Sequence, residues 1–160
     1  MISITAEQYY EWLSQPVGTI LNDPGNHDCE NKNYDHYYLE NVYAKTKYGI
    51  VVLEAGRVVN GASIPWLAQC IIPKSGKWNR CAGFHDVGYE DGGLWILQPD
   101  GSLKFRKLRQ KQVDELYLDL MAGREVPRWN RYTQYSALRL GGWVAWNKYR
   151  RKDKKKAARR

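Results

Sequence analysis

Residues 36–53, HYYLENVYAKTKYGIVVL, decide the fold class. His36–Ala44 and Tyr48–Leu53 are rich in Tyr, Val and Ile, residue types that suit a pleated, half-buried surface. Polar residues and Gly49 lie between the two runs. They read as the strands of a hairpin, with Arg57–Val59 a candidate third strand. Further along, the period changes. Arg109–Met121 places Val113, Leu116, Tyr117, Leu120 and Met121 at the three- and four-residue spacing of one helix face. The expectation is an α+β domain: a small antiparallel sheet or hairpins near the N-terminal half, packed against four to five helices.

Working outward, Thr5-Ala6-Glu7-Gln8 has the form of a capping box and predicts a helix to about Leu13. Pro16–Asn33, dense in Gly, Pro, Asn and Asp, reads as loop. Ser63-Ile64-Pro65 has a cap and a first-turn proline, so a short apolar helix through Trp66, Leu67, Cys70 and Ile71 is expected. Trp78–Gly88 is a second helix, closed by the glycine-rich run from Glu90 to Gly93. Leu94–Leu97 and Leu103–Phe105 flank Pro99-Asp100-Gly101-Ser102, a turn sequence, and predict another hairpin. Gly123 ends the Arg109–Met121 helix and Pro127 starts the last one, in which Gly141-Gly142 marks close packing or a kink. One globular domain over 1–149 is expected, followed by a disordered basic tail at 150–160.

The 160 residues suffice for one buried core, and 43% hydrophobic with 26% charged is ordinary globular composition. Seven Trp and twelve Tyr against two Phe favour surfaces that are partly wet, where a large apolar body carries a polar tip. The net charge of +8 is local: residues 147–160 hold nine of the 25 basic residues and one of the 17 acidic ones. Sixteen of each remain in 1–146, which disfavours a uniformly basic nucleic-acid-binding fold. Cys29, Cys70 and Cys81 are odd in number and form no CxxC pair, against a disulfide framework or zinc knuckle. Met1–Glu11 lacks the basic start and apolar run of a signal peptide, and Tyr135–Trp146, broken by Arg139, is short of the roughly 20 residues that span a bilayer. Cytoplasmic synthesis and no transmembrane segment are expected.

Three clusters carry chemistry. His85-Asp86 joins the one side chain that titrates near neutrality to a carboxylate that can orient it or share a metal. Asp114 sits among apolar residues and, turned inward, would need a partner such as His85, a metal or backbone donors. His85, Asp86 and Asp114 are thus the candidate catalytic set and the candidate ligands of a divalent metal. In Asn60-Gly61-Ala62-Ser63-Ile64-Pro65, Ser63 is a helix cap or a nucleophile, and the helix start offers amide donors. His27-Asp28-Cys29 with Asp35-His36 has metal-ligand residue types in a spacing that matches no usual zinc pattern. Cys81, His85 and Tyr89 share a helix face, though neighbours on one helix rarely have the geometry of a thiolate–imidazole dyad.

The run Asn60-Gly61-Ala62-Ser63-Ile64-Pro65, then Cys81-Ala82-Gly83-Phe84-His85-Asp86 with Tyr89, then Val113-Asp114-Glu115-Leu116-Tyr117 resembles a phage, prophage and bacterial family catalogued as domain of unknown function 1353. Its members look like DGASIP…HDxxY…ADxxF with a Trp-rich C-terminal helix, similar here to Arg139–Trp146. The resemblance covers about Val51 to Trp146 and implies a shared site of Asn60, Ser63, His85, Asp86 and Asp114, without an activity. Asn60 stands where the family usually has an acid; it can ligate or hydrogen-bond but cannot act as a base.

Three functions follow as expectations. A small hydrolase would use His85 as base or metal ligand, Asp86 and Asp114 as its partners, and Asn60 and Ser63 in the same site. A non-enzymatic phage protein, in the virion or tail or bound to a host factor, would keep the His/Asp cluster structural and use Trp and Tyr for contact. A polyanion or membrane surface could bind the tail through Arg150, Arg151, Lys152, Lys154, Lys155 and Lys156.

Overall fold

Alternation along the strands assigns one face of a sheet to each of two cores. A computed structural model describes residues 4–22, 27–28, 36–59 and 78–158, with backbone alone at 27–28, 36–37 and 79. Strand β3 (Val42–Thr46) pairs antiparallel with β4 (Gly49–Leu53), Val42 opposite Leu53 and Thr46 opposite Gly49. Beyond β4 lie β6 (Gly93–Leu97) and β7 (Leu103–Lys107), giving the order β3-β4-β6-β7. Val42, Ala44, Val51, Leu53, Leu94 and Ile96 enter the larger core; Tyr43, Ile50, Val52 and Leu97 enter the smaller one. The unbroken apolar run Ile50–Leu53 is what a central strand covered on both faces requires. The outer edge, β7, presents Lys104, Arg106 and Lys107, which discourage pairing with another chain.

Helix α1 (Ala6–Ser14) covers the smaller core, contributing Tyr9, Trp12 and Leu13. Its capping box is formed: the Thr5 hydroxyl accepts from the Gln8 N–H, and Gln8 Oε1 accepts from the Thr5 N–H at 3.0 Å. The larger core lies between the sheet and helices α2 (Asn79–Asp91), α3 (Gln110–Gly123) and α4 (Arg128–Ala157). The five residues expected on one face of α3 are all buried, and Asp114 is buried with them.

The expected strand His36–Ala44 is two strands. β2 (His36–Tyr38) belongs to a small sheet with β1 (His27–Asp28) and β5 (Val58–Val59), in the order β1-β2-β5. The break at Leu39–Asn41 follows from the bonds Asn41 makes. Its side chain accepts from the Ala55 N–H at 2.8 Å, and its carbonyl accepts from the Asn22 amide at 2.6 Å. The helix expected after Ser63 lies outside the described residues. The Pro99–Ser102 hairpin forms, with Asp100 accepting from the Ser102 N–H and hydroxyl.

Residues 150–157, expected in a disordered tail, are the last turns of α4, a helix of 30 residues. Lys, Arg and Ala are strong helix formers, and Lys154, Lys155 and Lys156 sit at the end where a helix favours cations. Arg150 also ties this segment to the body: its guanidinium donates to the backbone carbonyls of Tyr89 and Glu90 and lies 4.9 Å from the Trp146 ring centroid. Gly92, which ends α2 at φ 70°, makes room for it, since a Cβ there would fall 1.6 Å from an Arg150 nitrogen. Gly141-Gly142 is a close packing and not a break, because α4 runs straight through it.

Candidate functional site

The side chains of α2 that face α3 and α4 build the site. His85 and Tyr89, four residues apart, fall on one helix face and stack with ring centroids 4.2 Å apart. Both point at Asp114 of α3, which is fully buried. Asp114 Oδ1 lies 3.1 Å from His85 Nε2 and accepts from the Tyr89 hydroxyl at 2.6 Å. Its Oδ2 accepts from the Arg139 guanidinium of α4, also at 2.6 Å. One carboxylate thereby joins three helices.

Burial alone would raise the Asp114 carboxyl; hydrogen bonds from His85, Tyr89 and Arg139 outweigh it and hold Asp114 below the usual carboxylate range. Burial likewise disfavours a charged His85, but the bond to Asp114 and the nearness of Asp86 raise its pKa. The Asp86 contact is 3.9 Å from His85 Nδ1, an ion-pair distance and not a hydrogen bond, so Asp86 acts on the ring through charge. Asp86 itself is pushed up by burial, against the pull of His85. An imidazole held between two carboxyl groups keeps its proton to higher pH than a free one.

This cluster forms one wall of a cavity of about 380 Å³ enclosed by α2, α3 and α4. The opposite wall, from α4, sets Ala137, Leu138, Gly141 and Ala145 beside Lys148 and Tyr149. Gly142 lets α4 approach, because a Cβ there would lie 2.5 Å from the Tyr89 hydroxyl. Two polar atoms in the cavity wall have no hydrogen-bond partner among the described residues: Asp86 Oδ2 and Gln134 Nε2. Gln134 is 3% exposed, and its other amide atom already accepts from the Tyr117 hydroxyl at 2.5 Å. Both unpartnered atoms are buried within the wall, so the polar character of the cavity comes from the residues His85, Asp86, Gln134 and Lys148 that line it.

Of the five residues expected in the site, His85, Asp86 and Asp114 come together. Asn60 and Ser63 lie outside the described residues, as do Cys29 and Asp35 of the loop cluster. The Cys81–His85 dyad does not form a nucleophile: Cys81 is fully buried, and burial pushes its thiol up to about 12. Arg139, Tyr117 and Gln134 were not foreseen. Arg139 left a trace, a lone arginine inside the apolar stretch Tyr135–Trp146. Gln134 left only its spacing, four residues before Leu138 and eight before Gly142 on the inward face.

A divalent cation fits poorly here. Both oxygens of Asp114 are taken by donors, one of them a guanidinium that would repel the ion. Among the described residues no group of three His, Cys, Asp or Glu side chains is placed to hold a metal.

Residues 38–138 match the family model described as Protein of unknown function (DUF1353). The chain belongs to that family. The DUF1353 match begins at Tyr38, earlier than the resemblance around Val51, and so takes in the β3–β4 hairpin as well as His85, Asp86, Tyr89 and Asp114. It ends at Leu138, so Arg139 and the rest of α4 lie beyond the DUF1353 match. No curated protein and no solved structure gives a significant match.

Proposed function

We propose that the cavity is the active site of a small hydrolase in which Asp86 exchanges the proton. The supporting observation is that Asp86 and His85 both line the cavity, with Asp86 carrying a buried oxygen without a partner among the described residues and the imidazole anchored from behind by buried Asp114. A carboxyl raised by burial can take a proton from an attacking water, and a neighbouring imidazolium stabilises the charge that results. Asp114, Tyr89 and Arg139 hold the His85 ring in place, and of these Tyr89 also lines the cavity. Lys148 would favour a polar oxygen on the ligand, while Ala137, Leu138 and Ala145 favour a compact apolar group next to it.

The test uses wild type, Asp86→Asn and the cavity-filling Ala145→Trp against chromogenic esters, amides and glycosides. Turnover by wild type, reduced at least a hundredfold in Asp86→Asn and blocked in Ala145→Trp, supports the site. No turnover on any class, or turnover that survives both replacements, rejects it.

A structural reading has its own support in the complete satisfaction of Asp114. It requires Asp86→Asn to leave every ligand and substrate response unchanged while Asp114→Asn unfolds the protein.

A further inference from the structure

The outward face of α4 carries an unusual load. Trp129, Tyr132, Leu140, Trp143 and Val144 are half of the ten exposed large hydrophobic residues among those described. Their spacing, together with Asn147, Arg151, Lys154 and Lys155, follows three- and four-residue steps along one side of the helix. The apolar part occupies the first half of that side and the basic part the second. At 1.5 Å per residue the whole helix extends about 45 Å. Leu140 is 81% exposed and Trp129 is 72% exposed, so this face is not the rim of the core.

Charge sharpens the picture. Asp153, the one acid in the basic segment, sits 3.3 Å from Arg150, which is itself turned inward onto the end of α2. The exposed Arg151, Lys152, Lys154, Lys155 and Lys156 therefore keep their positive charge for an external partner. The bonds of Arg150 to α2 brace the segment against the body, so the partner meets an ordered surface.

We propose that this face of α4 docks on an anionic phospholipid bilayer surface, with the aromatic and aliphatic half at the level of the headgroup–acyl boundary and the basic half on the phosphates. Tryptophan and tyrosine favour that boundary, and basic side chains close to an anionic leaflet each add to the attraction. No helix among the described residues is long and apolar enough to cross a membrane, so the contact is peripheral. A nucleic acid would use the basic half but leave Trp129, Leu140, Trp143 and Val144 without a role on a phosphate backbone. A second copy is disfavoured by charge: parallel pairing stacks the basic halves, and antiparallel pairing sets them against Arg128 and Arg131.

The experiment is co-sedimentation of the full chain with vesicles of pure phosphatidylcholine and with vesicles containing about one third phosphatidylglycerol, at low and high salt. Expected is binding to the anionic vesicles alone, weakened by salt, with a blue shift of tryptophan emission. Arg151, Lys154 and Lys155 together replaced by Gln should lower partitioning about a hundredfold. Leu140→Ser with Trp143→Ser should abolish the blue shift. None of these residues lines the cavity, so turnover there is an independent readout, and unchanged melting confirms that the variants fold. Absence of binding to anionic vesicles overturns the proposal, as does binding indifferent to both variants. Tighter binding to duplex DNA that ignores Leu140→Ser/Trp143→Ser would assign the basic half to nucleic acid. Dimerisation lost in Leu140→Ser would assign the face to a second copy.

Discussion

Asp114 and Asp86 are carboxyl groups on facing helices, and their surroundings push them apart. Asp114 has three donors and no contact with water; Asp86 has a buried oxygen without a hydrogen-bond partner among the described residues. Asp114→Asn leaves Arg139 and His85 facing an amide, and the expected cost is about 3–5 kcal/mol, read by denaturant unfolding. Asp86→Asn removes a charge that burial penalises and should leave stability equal or slightly higher. The signs with pH follow. A depressed Asp114 stabilises the fold above the ordinary carboxylate range, and that contribution is lost as pH falls through its lowered value. A raised His85 stabilises fully below about 6.5 and loses its contribution as pH rises through its elevated value. The groups facing that ring are Asp86, Tyr89, Asp114, Tyr117 and, through Asp114, Arg139. Removing Asp86 should therefore lower the His85 titration midpoint, measured on labelled imidazole by NMR. At this scale the sequence was half legible. An inward Asp114 was readable because an acid turned toward the face of Val113 and Tyr117 must find partners, and His85 was one that could be named. Which donors it finds was not, because Tyr89 and Arg139 reach it from other helices.

Between elements, small residues decide how close the helices come. Gly142→Ala inserts a methyl against the Tyr89 hydroxyl and the Gln110 amide, and overpacking of this kind costs about 1–3 kcal/mol. Because Gln110 donates to that hydroxyl at 3.2 Å, the same change disturbs the Asp114 cluster from its far side. Chemical denaturation together with His85 NMR separates the two effects. The helices and the Pro99–Ser102 hairpin were readable from caps, turn residues and period, which are local signals. The division of 36–53 into β2 and β3–β4 was not, since tyrosines suit either sheet. Asn41 breaks the strand through bonds to Asn22 and Ala55, residues far along the chain.

Among the described residues the four-stranded sheet is covered on one face by α1 and on the other by three helices, and those three helices line the cavity. Since the Arg139 guanidinium neutralises Asp114, a chelator should leave the melting temperature of wild type unchanged. A fall of several degrees with chelator would contradict this. The antiparallel sheet and helical packing were legible as a class, while the inward anchoring of the basic segment was not, because charge runs usually remain solvated. Cys81 allows one more consequence. It lies at the centre of the larger core and keeps its proton. With Cys29 and Cys70 replaced by serine, its thiol becomes a clock. The rate at which an alkylating reagent consumes it measures how often the three helices part from the sheet, and ligand held in the cavity should slow that clock in proportion to occupancy.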